Sequence, residues 1–148
     1  MYKHILIPTD GSTLSTAAVE QAMSLAKSLG AKVTVLTVVA PFSTLGLSAY
    51  ALDQVPNAAT DYQQAVQAGA KRRLAEAEQQ AQQFGVQCET VVVEHTQPYW
   101  AIIETANARG CDLIAMASHG QSGISALLLG SETTKVLTHS KLPVLVYR

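Results

Sequence analysis

Short aliphatic runs alternate along the chain with longer stretches whose apolar residues recur every three or four positions. Ile5-Leu6-Ile7 is the first run; Pro8, Asp10 and Gly11 end it, so it reads as a strand entering a loop. From Thr13 to Leu29 the apolar positions Ala18, Ala22, Leu25, Ala26 and Leu29 fall at helical steps, with Ser12 or Thr13 as N-cap and Gly30 as the stop. Val33 to Val39 is a β-branched run closed by Pro41. Residues 41 to 59 have no sustained period and read as a long loop, a feature that in compact domains is usually functional or mobile. Helical spacing returns from about Thr60 to Phe84 through Tyr62, Ala65, Val66, Leu74, Ala77 and Ala81, weakened locally by Gly69 and ended by Gly85. Val86 to Glu94 is the next strand. Pro98 suits the first turn of a helix expected to bury Trp100, Ile103 and Ala106 and to end at Gly110. Asp112 to Ala117 is a fourth strand, followed by a glycine-containing loop, a helix from about Ser131 to His139 and a last strand from Pro143 to Tyr147.

Five strands alternating with four helical segments predict an α/β fold: one open parallel sheet with helices on both faces, spanning residues 1–148 as a single domain. In such sheets ligands bind beyond the carboxyl ends of the strands, where strand order reverses. The loops after the first, second and fourth strands are therefore the ones to inspect.

Composition adds limits. The chain has 148 residues, 10 Lys+Arg against 11 Asp+Glu, a net charge of -1, and 48% hydrophobic but only 14% charged residues. Roughly 25% charged is usual for a soluble protein. Disorder is excluded and a broad basic face for nucleic acid is not expected. The low charge implies that uncharged polar residues such as Gln79-Gln80 and Gln82-Gln83 solvate the surface, or that a partner covers part of it. The apolar stretch before Pro8 is too short for a signal peptide and nothing approaches a membrane span, so a cytoplasmic location without membrane contact is expected. Cys88 and Cys111 lack any metal-ligand or CxxC spacing and read as packed, reduced thiols. His4, His95 and His139 are scattered singly and form no metal-ligand set.

Two loops carry candidate chemistry: Pro8-Thr9-Asp10-Gly11-Ser12 after the first strand, and Ala117 to Ser131 after the fourth. In the second, Ala117-Ser118-His119-Gly120 is followed by nine residues and then Gly130-Ser131 at a helix start. Amides at a glycine-permitted turn and at a helix N-terminus can cradle phosphate oxygens, and the hydroxyls of Ser118, Ser122, Ser125 and Ser131 would add donors. No lysine takes part. There is no Walker loop, and no GxGxxG follows the first strand, which makes a P-loop NTPase or a dinucleotide oxidoreductase improbable.

These residues resemble the universal stress protein family over nearly the whole chain. The marks are Ile5 to Ser12, Cys111 to Gly120, Leu129-Gly130-Ser131 and Pro143 to Val146, in that order and spacing. The resemblance implies a doubly wound five-stranded sheet of the adenine nucleotide alpha hydrolase-like type, a homodimer paired through the C-terminal strand, and a stress-response regulator or sensor that binds ATP or AMP. Mg²⁺ would come with the phosphates. The family pattern of G, two residues, G, nine residues, G, then Ser or Thr falls on Ala117, Gly120, Gly130 and Ser131, with Ala117 where the first glycine belongs. The resemblance also places Asp10 and Val38 near ribose and adenine, Val38 acting mainly through its backbone, with Pro8 and Met116 lining the pocket. A methyl at Ala117 costs little if φ is negative and more if it is positive or if the ligand approaches the backbone closely. Glu132 suits the helix dipole yet would repel a phosphate at the same place.

Each candidate has a plainer reading. Asp10 is either a ribose ligand or a turn residue bonding its own backbone; Ser131 is a phosphate donor, an N-cap or both. His119 has no acid or nucleophile at interpretable spacing, so no catalytic residue is assigned, and any ATP hydrolysis would be slow. Lys71-Arg72-Arg73, followed by Glu76 and Glu78, reads as a solvated helix face with i,i+4 pairs. Tyr99 and Trp100 read as a buried helix start rather than a base-stacking pair. The alternative function is a protein-interaction module of the same family that binds no nucleotide.

Overall fold

A computed structural model of the chain describes residues 1–42, 54, 56–120 and 128–148. Strands β1 (His4–Pro8), β2 (Lys32–Val39), β3 (Cys88–Glu94), β4 (Leu113–Ala117) and β5 (Val144–Tyr147) form one parallel sheet in the order β3-β2-β1-β4-β5. Helices α1 (Thr13–Leu29), α2 (Ala58–Phe84), α3 (Pro98–Ala108) and α4 (Ser131–His139) make the connections. The fold class expected from the alternating pattern is the one observed. Parallel strands require crossovers, and each crossover carries its helix to a sheet face.

Side-chain alternation along the strands divides the core into two layers. Ile5, Ile7, Val33, Val35, Leu113 and Ala115 point to one face, where Val19, Ala22, Met23 and Ala26 of α1 and Leu74, Ala77 and Ala81 of α2 cover them. Leu6, Leu36, Ile114 and Met116 point to the other, covered by Ile102 and Ala106 of α3 and Val136 of α4. Strand β1 is buried on both sides, as its unbroken aliphatic run requires. The edge strands β3 and β5 are only half-buried, and Leu145 on β5 is 37% exposed.

Several boundaries and faces differ from the pattern-based reading. Helix α2 begins at Ala58, inside the expected 41–59 loop, and runs through Gly69 without a break. Residues 43–53 and 55 of that loop lie outside the described residues, as do Ser122, Gly123 and Ser125. Helix α3 buries Ala101, Ile102, Thr105 and Ala106, whereas Trp100 is 47% exposed and Ile103 only half-buried. The small side chains Ala101 and Ala106 let the helix lie close to the sheet, which turns the bulky indole outward. Tyr99 instead packs against His139 of α4, with ring centroids 5.4 Å apart. Among the described residues the ion pairs are Arg109–Glu89 and Lys135–Glu132, so the i,i+4 pairs expected around Lys71-Arg72-Arg73 do not form. Arg73 is half-buried and lies over the β1–α1 loop, where a methyl on Gly11 would come within 2.6 Å of its Nε.

Two long-range contacts hold the amino end of β1. Asp112, just before β4, accepts hydrogen bonds from the backbone N–H groups of Lys3 at 2.8 Å and His4 at 3.0 Å. The buried His4 ring places Nε2 2.8 Å from the Thr34 hydroxyl. Both cysteines are free thiols, and burial pushes each to a pKa of about 11. No described helix is long and apolar enough to cross a membrane.

Candidate functional site

The order β3-β2-β1-β4-β5 puts the switch point between β1 and β4, because the chain leaves β1 toward β2 on one side and returns to β4 on the other. The loops after these two strands therefore meet at the carboxyl end of the sheet. They enclose a cavity of about 700 Å³, and Pro8, Asp10, Val38, Met116, Ala117, Gly120, Gly130 and Ser131 all line it. The segments from 8–10, 38, 116–120 and 130–131 thus share one space, although up to 123 residues of chain separate them.

The β1–α1 loop is fixed by its own hydrogen bonds. The Thr9 N–H donates to the Leu36 carbonyl at 2.8 Å, and the Thr37 hydroxyl donates to the Thr9 carbonyl at 3.2 Å. Asp10 Oδ1 accepts from the Ser12 N–H at 2.9 Å, the turn contact of the plainer reading. Ser12 then caps α1 by accepting from the Ser15 N–H at 3.2 Å. The other Asp10 oxygen lies against Gly120, so tightly that a methyl built on Gly120 would collide with it. One carboxylate therefore sits in close contact with both loops.

The β4–α4 loop is anchored at both ends. The Ser118 N–H donates to the Tyr147 carbonyl at 2.7 Å, and the Ser118 carbonyl accepts from the Gly130 N–H at 2.8 Å. The Thr133 hydroxyl donates to the Ala117 carbonyl at 2.9 Å, tying the first turn of α4 to the end of β4. Gly130 is thus needed for closeness rather than for a special φ: its own φ is -63°, and a methyl on it would sit 2.9 Å from His119 Cβ and 3.0 Å from His119 Cα. Its amide is taken by the Ser118 carbonyl, and the first-turn amides of Ser131, Glu132 and Thr133 have no acceptor within the helix. Gly130 supplies no side-chain cap to compete with one. Ala117 has an ordinary negative φ, since Asn57 alone among the described non-glycine residues is positive, and its methyl is buried. The cost that a positive φ would have imposed on an alanine here does not arise.

Of the remaining candidates, some line the cavity and some do not. Ser118 is buried, with its hydroxyl 3.1 Å from His119 Nδ1, and does not line the cavity; His119 does. Neither Tyr99 nor Trp100 lines it. Glu132 does, but its Oε2 accepts from the Tyr99 N–H at 2.8 Å and its Oε1 lies 3.1 Å from Lys135 Nζ. Leu36, Pro98, Ile102 and Thr133 also line the cavity and lie outside the sequence motifs. Leu36 was findable, because strand periodicity puts it on the same side as Val38. Pro98 and Ile102 were not, since only the packing of α3 on the sheet brings them in.

Comparison with known proteins agrees with this architecture. The sequence profile of the universal stress protein family matches residues 1–148. Universal stress protein YxiE of Bacillus subtilis is 32% identical over 149 aligned residues, covering 100% of both chains. The structure of universal stress protein UspA from Lactobacillus plantarum superposes with a TM-score of 0.84 at 27% identity, over 99% of this chain and 98% of that one. A universal stress protein solved in complex with cAMP has a TM-score of 0.72 at 29% identity, over 99% of this chain and 96% of that one. With the sheet order, the paired loops and the full-length match in agreement, the chain belongs to the universal stress protein family.

Proposed function

We propose that the cavity at the carboxyl end of the sheet binds an adenine nucleotide, ATP or AMP, and that the protein is a cytoplasmic, homodimeric regulator whose state in the stress response follows nucleotide occupancy. The observation that carries this reading is the meeting of two unlike walls in one cavity of about 700 Å³. Pro8, Leu36, Val38, Ile102 and Met116 offer an apolar slot suited to a flat base, and Asp10 and Thr9 offer oxygens suited to ribose hydroxyls. The first turn of α4 offers amides suited to a phosphate. The relative solved with cAMP supports the same ligand class. Among the described residues there is no cluster of three His, Cys, Asp or Glu to hold a metal, so Mg²⁺ would be bound through phosphate oxygens. The half-exposed edge strand β5, with Leu145 outward, favours covering by a second copy of the chain.

Isothermal titration with ATP and AMP, with and without Mg²⁺, tests the reading, supported by mass spectrometry of nucleotide that co-purifies. Absence of heat and of any thermal shift at millimolar nucleotide refutes it. A second reading, a protein-interaction module without nucleotide, is favoured by Leu128 and Leu129, which line the cavity while remaining 74% and 38% exposed. Under that reading a folded Gly130→Val variant keeps stress tolerance; under the first it loses it.

A further inference from the structure

We infer that this cavity selects nucleotides of low phosphate charge, and that Glu132 sets the limit. The inference rests on the adenine-nucleotide reading and narrows its ligand class to adenosine and its linear or cyclic monophosphates, with ATP admitted as its divalent-cation complex.

The first observation is the charge of the lining. Asp10 and Glu132 contribute carboxylates, and among the described residues no Lys or Arg lines the cavity. The described loop residues at the same end of the sheet, 8–12, 95–97, 118–120 and 128–130, contain no Lys or Arg. Arg148, which follows β5, is exposed and does not line the cavity. Four of the chain's ten cations, Lys3, Lys27, Lys32 and Arg109, surround a groove at the opposite end of the strands, and Arg73, which lies over the β1–α1 loop beside Gly11, does not line the cavity.

The second observation is what Glu132 does. It is the second residue of α4, in the turn where the helix dipole favours an anion. Its Oε2 also accepts from the Tyr99 N–H in the first turn of α3. Two helix N-termini thus border the cavity, through Pro98 and Ser131, and one resident carboxylate already answers both. Lys135 offsets part of that charge from outside, 3.1 Å from Oε1 and 5.5 Å from the centre of the Tyr99 ring.

A first phosphate gains the remaining amides of α4, and those hydrogen bonds are charge-assisted. Each further ionised phosphate adds charge that faces the Glu132 and Asp10 carboxylates. At separations of about 6 Å and effective dielectric constants of about 40 to 80, each such pair weakens binding roughly threefold to tenfold. A divalent cation bridging the phosphates removes most of this repulsion.

The test is isothermal titration of the full chain at about 0.1 M salt with adenosine, AMP, cAMP, metal-free ATP and Mg²⁺-ATP, for wild type, Glu132→Gln and Glu132→Asp. In the wild type, AMP and cAMP bind about tenfold tighter than metal-free ATP, and Mg²⁺ restores ATP binding. Glu132→Gln, whose amide oxygen can still accept from Tyr99, improves the affinity for metal-free ATP relative to adenosine about tenfold. Glu132→Asp keeps the charge, shortens the reach to Tyr99 and retains the wild-type ranking. Metal-free ATP binding as tightly as AMP, or Glu132→Gln shifting ATP and adenosine equally, overturns the inference while leaving nucleotide binding in place. Failure of every ligand to bind, adenosine included, overturns the nucleotide reading and this inference with it.

Discussion

Replacing Gly130 by alanine separates close packing from mere loop flexibility. The added methyl would lie 2.9 Å from His119 Cβ, 3.0 Å from His119 Cα and 3.3 Å from the Ser118 carbonyl oxygen. Ordinary carbon contacts need about 3.5 to 4.0 Å, so the gap is short by half an ångström or more. The obstructing atoms are backbone or Cβ, which no side-chain rotation can move aside. The first turn of α4 must therefore back away from the β4 loop, lengthening the 2.8 Å bond from the Gly130 N–H to the Ser118 carbonyl. Overpacking of this kind costs about 1–3 kcal/mol, and loosening one buried backbone bond about 1 kcal/mol. A loss near 2 kcal/mol is expected, lowering Tm by about 6 °C for a domain of this size. Urea denaturation at unchanged m-value, alongside thermal melting, measures it. A stability within about 0.5 kcal/mol of wild type would refute the argument, since it would mean the start of α4 is not in close contact with His119 at this point. The same variant should weaken nucleotide binding, because α4 carries the amides.

Gly69 provides the opposite case: it lies inside α2 and a methyl there meets nothing within 4 Å, so Gly69→Ala should stabilise the protein by about 0.5–1 kcal/mol in the same denaturation assay. Asp112→Ala removes the acceptor for the Lys3 and His4 amides, and because the carboxylate is only half-buried the expected loss is about 1–2 kcal/mol. Burial pushes the Asp112 carboxyl up, but the N–H donors of His4 and Lys3 together outweigh it and hold it below its ordinary value of 3.8. Its contribution is therefore full above that value and fades as pH falls through the depressed one, so the variant's stability relative to wild type should converge in acid. Burial, followed by the charge of Lys32, holds His4 below its ordinary 6.5. Below pH 6.5 the unfolded chain binds this proton before the folded one does, so stability falls on acidification in that window, and His4→Gln should flatten the decline in a Tm-against-pH series.

The elements were legible because their signals are local. The aliphatic runs at 5–7 and 33–39, the helical spacing of 13–29 and the stops at Gly30 and Gly85 each depend on neighbours a few positions away. Faces were less legible where size competed with hydrophobicity. Trp100 is the more hydrophobic choice, yet α3 buries Ala101 and Ala106 because a helix resting on a sheet needs small residues at closest approach. The roles of single charged residues were not legible. Glu132 was read as a neighbour of Ser131, but the amide it binds belongs to Tyr99, 33 positions away; Asp112 reaches partners 108 and 109 positions away.

By itself the sequence determined the alternation of strands and helices, the parallel sheet, the two glycine-bearing loops and the absence of cations from them, since periodicity, turn chemistry and composition are written in consecutive residues. The tertiary structure decided which loops face each other. Strand order brings β1 beside β4 and so sets Asp10 against Gly120, while the start of α4 closes back on the end of β4 to press Gly130 onto His119, and the packing of α4 beside α3 turns Glu132 toward Tyr99. Contacts across a hundred residues of chain depend on how the sheet is wound, and no local pattern carries that information.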